Sequence, residues 1–354
     1  MSLGPIMLDL DGLHLQEDER NLLEHPLVGG VILFSRNYDN PAQITELCTQ
    51  IHALRSPPVL IAVDHEGGRV QRFHDNFTTL PPCRCFGEEY EVNQDNAMQL
   101  CETGGWLMAA ELLAVGVDFS FAPVLDLDKG VSRVIGDRSF HRDEDIATVL
   151  AKRFMRGMKS AGMSAVGKHF PGHGSVAEDS HHEVPVDERR YEDIAMSDLL
   201  PFERLIGAGL PAIMPAHVIY PAVDERPAGY SEKWLQQILR GQLRFQGVIF
   251  SDDISMAAAG VVGDYTDRAR AAINAGCDMV LICNNRAAVI QVLDRLDVNL
   301  HPASQARFMR MHGRGPGLSL EKLQADEKWK SAVKKVTLLD HSPELELGDD
   351  EIKS

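Results

Sequence analysis

The sequence has no excess of positive charge: 35 lysine and arginine residues stand against 52 aspartate and glutamate residues, giving a formal net charge of −17. A chain this acidic repels polyanions through its overall field, so we expect no binding of nucleic acid or of an anionic membrane surface. It also has no apolar run near the roughly 20 residues that cross a bilayer. The overall sign does not exclude a local cationic pocket.

Targeting signals and disulfide signals are equally sparse. The chain reaches Asp9 and Asp11 before any apolar run long enough for a signal peptide, and no basic segment precedes them. Of the six cysteines only Cys83 and Cys85 lie close together, and a C-x-C spacing alone is weak evidence for a metal site. We therefore expect a cytoplasmic protein with reduced thiols, and we favour a monomer.

Eight short, nearly continuous apolar segments alternate with helix-like segments along the 354 residues. Continuous hydrophobicity is typical of parallel strands that are covered on both faces. The predicted strands are Pro5–Leu10, Gly30–Phe34, Val59–Asp64, Phe119–Asp126, Met163–Phe170, Ala212–Tyr220, Gly247–Asp253 and Asp278–Cys283. The predicted helices begin at Asn40-Pro41 and cover about 96–115, 143–161, 189–208, 231–243 and 264–276.

This alternation predicts an α/β fold with a single (β/α)8 barrel of the TIM type. A chain of 354 residues would usually be expected to form two domains, but an α/β barrel is a single domain that can reach this length. We assign the catalytic barrel to residues 1–340. The last residues, 341–354, form an acidic tail that we expect to be flexible and without chemistry.

Polar residues follow the predicted strands with unusual regularity. In a barrel the carboxyl ends of the strands converge on one face, and the chemistry of barrel enzymes takes place there. The residues at these ends are Asp64, Asp126, Lys168, His169, His217, Asp252, Asp253 and Asn284.

Two neighbouring carboxylates end the strand before residue 254. Side chains of adjacent strand residues point to opposite faces, so only one of Asp252 and Asp253 readily faces the barrel mouth. One of them is a candidate nucleophile, and the alternative is that both cap the helix that follows.

The long segment 171–188 carries a second candidate pair. Asp179 lies two residues from His181 and can accept its ring N–H, which orients the imidazole for proton transfer. One alternative is a solvated loop histidine, and another is a metal site, since His169, His173, His181 and His182 could be drawn together around Zn²⁺.

A set of charged residues could bind a polyhydroxylated or anionic ligand. Asp64 could accept hydrogen bonds from hydroxyl groups, while Arg72, Arg138 and Lys168 could donate to oxygens. The Gly67-Gly68 pair lacks the spacing of a phosphate-binding or dinucleotide-binding loop.

Several motifs resemble family 3 glycoside hydrolases of the bacterial β-N-acetylglucosaminidase type. They are the run from Lys168 to Gly174 (K-H-F-P-G-H-G), Asp179-Ser180-His181, Ser251-Asp252-Asp253, the run from Val63 to Arg72, Phe121–Asp126 and Met214–Val218. The resemblance extends from Gly4 to about residue 335.

The resemblance implies a retaining, two-step hydrolysis of a terminal β-linked N-acetylglucosamine. Asp252 would be the nucleophile, and His181, paired with Asp179, the acid and base, although most retaining enzymes use two carboxylates. The implied sugar-binding residues are Asp64, Arg72, Arg138, Lys168 and His169.

The implied substrate is N-acetylglucosaminyl-1,6-anhydro-N-acetylmuramic acid, with or without peptide, from peptidoglycan recycling in Gram-negative bacteria. No cofactor and no metal are implied. Two rival interpretations keep the barrel: a phosphorylase that transfers the sugar to phosphate, and a metal-dependent hydrolase. A third is a sugar-binding protein without catalytic activity.

Overall fold

Ten strands alternate with helices in the computed structural model, which describes residues 2–177, 184–298, 301–315 and 317–339. In chain order the strands are β1 (Ile6–Asp9), β2 (Val28–Leu33), β3 (Leu60–Val63), β4 (Phe119–Ser120), β5 (Val166–Phe170), β6 (Ala212–Pro215), β7 (Ile219–Tyr220), β8 (Asp224–Pro227), β9 (Val248–Asp253) and β10 (Met279–Ile282).

Eight of these strands form one parallel sheet in the order β4-β3-β2-β1-β10-β9-β6-β5, and β7 and β8 form a separate antiparallel hairpin. The sheet closes where the segment after β4 runs beside β5. Leu125 N–H donates to the Lys168 carbonyl at 2.7 Å, and Val166 N–H donates to the Ala122 carbonyl at 2.7 Å. The predicted (β/α)8 barrel is confirmed, and each of the eight predicted strands overlaps one strand of the sheet. Two of the predicted ranges are too long: the strand predicted over Phe119–Asp126 is limited to β4, and the one predicted over Ala212–Tyr220 divides into β6 of the barrel and β7 of the hairpin.

Helices surround the sheet. In chain order they are α1 (Glu17–Leu23), α2 (Pro41–Ala53), α3 (Cys83–Val92), α4 (Gln94–Ala114), α5 (Glu144–Ala161), α6 (Tyr191–Ala195), α7 (Leu199–Gly207), α8 (Tyr265–Ala275), α9 (Arg286–Arg295), α10 (Pro302–Phe308), α11 (Leu320–Ala325) and α12 (Glu327–Thr337). Short 3₁₀ segments span Ser35–Asn37, Gly136–Arg138, Ala228–Tyr230 and Ala257–Val262, and a π-helical segment spans Lys233–Gln242.

Local sequence signals explain where several helices begin and end. Asn40 accepts a hydrogen bond from Gln43 N–H and Pro41 occupies the first helical position, as predicted for α2. Gly162 ends α5 in the left-handed region, at φ 102°. The single helix predicted over 189–208 is wrong, because α6 and α7 are separated at Asp198, whose buried side chain accepts a hydrogen bond from Arg189 at 2.7 Å.

Aromatic side chains fill the barrel interior below the strand ends. The rings of Phe119 and Phe121 pack against Phe250 with centroids 5.4 and 5.3 Å away, and all three residues are fully buried. Strands β4 and β9 are not neighbours in the sheet, so these contacts cross the barrel.

Three further predictions concern the chain as a whole. The six cysteines are buried and free of disulfide bonds. In the described ranges, none of the helices is both long and apolar enough to cross a membrane. The domain boundary at residue 340 stays a prediction, and the tail 341–354 lies outside the described residues.

Candidate active site

A cavity of about 490 Å³ opens at the carboxyl ends of the barrel strands. Six residues predicted from the sequence line it, namely Asp64, Arg72, Arg138, Lys168, His169 and Asp252. The two remaining predicted site residues, Asp179 and His181, lie outside the described residues. A larger cavity, of about 730 Å³, lies between α4 and α12 on the outside of the barrel and contains none of the predicted residues.

Two acidic and two basic side chains form a buried ionic network on one wall of the cavity. Lys168 Nζ donates to Asp64 Oδ1 at 2.8 Å and lies 2.6 Å from Glu66 Oε1. Arg138 donates to both oxygens of Glu66, each at 2.8 Å. Burial alone would raise the pKa of Glu66, but the charges and hydrogen bonds of Arg138 and Lys168 hold that pKa well below its usual range.

The two cations of the network keep their charge. Burial alone would lower the pKa of Lys168, whereas the neighbouring carboxylates Asp64 and Glu66 raise it above its ordinary value. For Arg138, too, the carboxylate of Glu66 outweighs burial and raises the pKa. This wall of the cavity therefore presents fixed charges of both signs at neutral pH.

Arg72 lies beside the network without being fixed by it. Its Nη2 atom is 3.9 Å from Asp64 Oδ2, and its guanidinium carbon is 5.8 Å from the centre of the Phe34 ring. The buried Nε atom of Arg72 has no hydrogen-bond partner among the residues that the structure describes. The side chain therefore has donors available for a ligand.

A buried carboxylate orients the imidazole of His169. Asp126 Oδ2 lies 2.7 Å from His169 Nδ1, and Asp126 Oδ1 accepts the backbone N–H of His173 at 2.7 Å. Although burial would raise the pKa of Asp126, the neighbouring His169 lowers it. With Nδ1 held by Asp126, the Nε2 atom of His169 is the ring nitrogen available to a ligand.

The two aspartates at the end of β9 differ in their hydrogen bonds. Asp253 accepts from Ser255 N–H at 2.9 Å, from Ser255 Oγ at 2.6 Å and from Cys283 N–H at 3.0 Å, so both of its oxygens are engaged. Asp252 accepts through Oδ1 only, from Asp253 N–H at 2.8 Å. The Oδ2 atom of Asp252 is therefore the one without a hydrogen bond in the described part of the chain.

The two aspartates also differ in pKa. Burial raises the pKa of Asp253 to about 6, in spite of the hydrogen bonds from Ser255 and Cys283. Burial acts in the same direction on Asp252, but His217, His169 and the Asp253 N–H together hold the pKa of Asp252 below its ordinary value. Asp252 is therefore ionised at neutral pH.

His217, which the sequence also places at a strand end, contacts the backbone at the end of β9. Its Nε2 atom lies 3.0 Å from the Asp253 carbonyl oxygen, and its ring stacks on Tyr230 with the centroids 5.6 Å apart. Burial lowers the pKa of His217. A fully buried imidazole that bonds to the backbone in this position fits a supporting role better than ligand contact.

Sequence reasoning gave no role to Glu66 or to a second polar cluster at the strand ends. In that cluster Asp9 accepts the Asn284 backbone N–H at 2.9 Å and pairs with Arg36, which also donates to Asn284 Oδ1 at 2.8 Å. Glu66 follows Asp64 by two residues, a spacing that could have suggested a shared side of the chain. Nothing local predicts the partners of Arg36, because they lie far away in sequence.

The proposed zinc site includes two histidines, His181 and His182, that lie outside the residues the structure describes. Across the ranges that the structure describes, histidine, cysteine and acidic side chains do not converge in a group of three suited to a metal ion. His173 lines the cavity, and burial lowers its pKa, but His181 and His182 lie outside the described residues.

Comparison with known proteins identifies the family. Residues 6–311 match the model of the glycosyl hydrolase family 3 N-terminal domain. The chain is 57% identical to a β-hexosaminidase of Thioalkalivibrio sulfidiphilus over 98% of this chain and 99% of that protein, and 55% identical to one of Methylobacillus flagellatus over 95% and 96%.

A solved structure agrees with these relatives. NagZ from Neisseria gonorrhoeae, crystallised in complex with N-trifluoroacetyl-D-glucosamine, superposes with a TM-score of 0.91 at 41% identity, covering 96% of this chain and 98% of that chain. The chain therefore belongs to glycosyl hydrolase family 3, as an enzyme similar to the β-hexosaminidases.

Proposed function

We propose that this chain is a retaining exo-β-N-acetylglucosaminidase that uses no cofactor. Membership of family 3 supports glycoside hydrolysis, and the β-hexosaminidases among its relatives support an N-acetylhexosamine as the sugar. One observation carries the proposal: Asp252 Oδ2 accepts no hydrogen bond from the described residues, whereas the other carboxylates of the cavity are held by cations or hydrogen bonds.

In the proposed mechanism, Asp252 attacks the anomeric carbon as the leaving oxygen departs, and a covalent glycosyl-enzyme forms. His181, oriented by Asp179, protonates the leaving oxygen and then removes a proton from the water that releases the sugar. A histidine suits both steps because its ordinary pKa, roughly 6.5, lies near neutral pH. These two roles rest on the sequence motif.

The sugar-binding roles fit the geometry of the described residues. Asp64 accepts from Lys168 through Oδ1, and its Oδ2 atom, 3.9 Å from Arg72, can accept a hydrogen bond from a sugar hydroxyl. His169 offers Nε2. Arg138 already donates to Glu66 and to the Val134 carbonyl, so it has fewer donors left for the sugar than Arg72.

The cavity mouth supports an anionic aglycone. Arg69 and Arg133 both line the cavity, and Arg133 is exposed and forms no ion pair with the described residues. A carboxylate of a muramic acid or of its peptide can pair with such a guanidinium. The proposed substrate is thus N-acetylglucosaminyl-1,6-anhydro-N-acetylmuramic acid, with or without peptide. The cytoplasmic location and the monomeric state stay predictions.

The mechanism is tested by trapping the intermediate. A 2-fluoro or 5-fluoro analogue of the sugar with a good leaving group should inactivate the enzyme and leave the sugar covalently attached to Asp252. Peptide mapping by mass spectrometry identifies the labelled residue. A label on Asp253, or inactivation without any covalent label, would contradict the proposal.

A phosphorylase is the second candidate, favoured by the cationic cavity and by an acid/base histidine that would not repel phosphate as a carboxylate would. Products are compared with and without phosphate. We expect free N-acetylglucosamine in both cases, whereas a sugar 1-phosphate would identify a phosphorylase.

The metal-dependent hydrolase is tested with EDTA. We expect the activity to be unchanged by EDTA, whereas a loss of activity that Zn²⁺ restores would favour the metal-dependent hydrolase.

A further inference from the structure

The loop that carries Arg72 is held by side chains from three helices on the outside of the barrel. This loop, residues 71–80, follows β3, and its Arg72 lines the cavity. Its backbone at Asn76, in the left-handed region with φ 63°, accepts a hydrogen bond from Gln324 of α11 at 2.9 Å. A loop with this many side-chain attachments has a defined position relative to the barrel.

Glu111 of α4 is the centre of the attachment. Its carboxylate accepts the backbone N–H of Thr78 at 3.0 Å and the Thr78 hydroxyl at 2.6 Å, and the same carboxylate accepts the indole N–H of Trp329 at 2.8 Å. Glu111 is 1% exposed. A carboxylate is an acceptor only, so it satisfies all three donors without needing a partner for a proton of its own.

Inside the loop, Gln71 transmits the position of Thr78 to the residues on both sides of Arg72. The Gln71 side chain donates to the carbonyls of Phe73 and Thr78, each at 3.0 Å, and accepts from Leu80 N–H at 3.0 Å. The Phe73 ring stacks on Tyr38 with the centroids 4.8 Å apart. A shift of Thr78 would therefore move the backbone that carries Arg72.

Helices α11 and α12 lie beyond residue 311, where the match to the family model ends. They contribute no residue to the cavity at the strand ends, yet Gln324 and Trp329 contact the Arg72 loop directly or through one carboxylate.

We propose that Trp329 and Glu111 are positioning residues that hold Arg72 at the sugar subsite through Thr78 and Gln71. The inference rests on the proposed function, because it assumes that Arg72 binds the sugar. Under this proposal, the C-terminal helices α11 and α12 influence the affinity of the enzyme for its sugar without contacting the sugar themselves.

The test is a double-mutant cycle on a chromogenic β-N-acetylglucosaminide. Trp329→Phe removes the indole N–H and keeps an aromatic ring, and we expect it to raise KM by about threefold or more with kcat changed by less than about twofold. In an Arg72→Met background, Trp329→Phe should change KM by less than about 1.5-fold, because a residue that acts only through Arg72 has nothing left to position.

Two further variants separate positioning from general stability. Thr78→Val removes the hydroxyl donor to Glu111 with little change of shape and should raise KM as Trp329→Phe does. Trp106→Phe is the matched control. Lys328 Nζ of α12 lies 3.9 Å from the centre of the Trp106 ring, and Trp106 is not among the donors to Glu111, so the KM of this variant should be that of the wild type.

The outcomes separate this inference from the proposed function. An unchanged KM for Arg72→Met would overturn the sugar-binding role of Arg72 and the positioning role with it. A raised KM for Arg72→Met, with wild-type KM for both Trp329→Phe and Thr78→Val, would overturn the positioning role alone. Equal KM changes for Trp329→Phe in both backgrounds would also overturn it, since the effect would then be independent of Arg72.

Discussion

Asp252 and Asp253 illustrate how two identical side chains in sequence acquire different chemistry. The sequence placed both at the end of a strand and left open which of them faces the cavity. The distinction comes from Ser255 and Cys283, whose donors occupy both oxygens of Asp253. Cys283 lies on the neighbouring strand end, so only the folded chain brings it to Asp253 and leaves Asp252 with a free oxygen.

The two aspartates should respond differently to the same substitution. Asp252→Asn removes the proposed nucleophile, so we expect kcat to fall by about 10³-fold or more, with an unchanged melting temperature. Asp253→Asn should lower the free energy of unfolding by about 1 kcal/mol and the melting temperature by about 1–2 °C, because the single amide oxygen replaces two oxygens that accept from three donors. A near-normal kcat for Asp252→Asn would contradict this assignment and make Asp253 the candidate nucleophile.

At the scale of elements, Glu66 joins three segments that are distant in sequence. It follows β3, it contacts Lys168 on β5, and it forms two hydrogen bonds with Arg138 at the end of the 3₁₀ segment Gly136–Arg138. The sequence predicted the positions of Lys168 and Arg138 in the site but not the carboxylate between them. The pairing depends on how two long loops pack, which no local pattern records.

Removing the charge of Glu66 tests this junction. Glu66→Gln leaves two buried cations with less compensation, and we expect the free energy of unfolding to fall by about 3 kcal/mol. Glu102→Gln is the matched control, since Glu102 also pairs with two arginines, Arg153 at 3.2 Å and Arg156 at 3.1 Å, but on the surface. There we expect less than about 1 kcal/mol. Urea denaturation at pH 7 measures both values, and equal losses would contradict the buried network.

The barrel was predictable from the sequence because each strand is a short apolar run, while the helices were less so. The strand pattern predicted the place of all eight barrel strands, although the range Phe119–Asp126 contains a strand of only two residues, β4. The helix predicted over 189–208 is interrupted between α6 and α7, next to the buried carboxylate of Asp198, which accepts a hydrogen bond from Arg189; the apolar pattern does not record this pairing. No sequence pattern in α11 or α12 predicted their hydrogen bonds to the Arg72 loop and to Glu111.

For the whole molecule, the net charge of −17 and the charge of the cavity have different origins. The cavity lining contains five basic side chains, Arg69, Arg72, Arg133, Arg138 and Lys168, against four acidic ones, Asp64, Glu66, Asp252 and Asp253. The acidic surplus therefore lies elsewhere. Local pairing rather than overall charge decides which ligands the cavity accepts, since exposed charges farther away than about 10 Å are screened by salt.

Part of the acidic surplus lies in the tail 341–354, which contains five acidic residues and one lysine. The described chain before it ends at Leu339, which lines the outer cavity between α4 and α12 rather than the cavity at the strand ends. The tail also contains few apolar residues that could be buried. The sequence therefore predicts that the enzyme does not need it.

A protein that ends at residue 340 should match the full-length enzyme in kcat/KM and in melting temperature. A protein that ends at residue 319 is the informative control, because it also loses α11 and α12 and with them the hydrogen bonds of Gln324 and Trp329. We expect the shorter protein to have a raised KM and a lower melting temperature. If loss of the tail alone changed kcat/KM, residues beyond 340 would have to reach the site, and the boundary of the catalytic unit would move to the end of the chain.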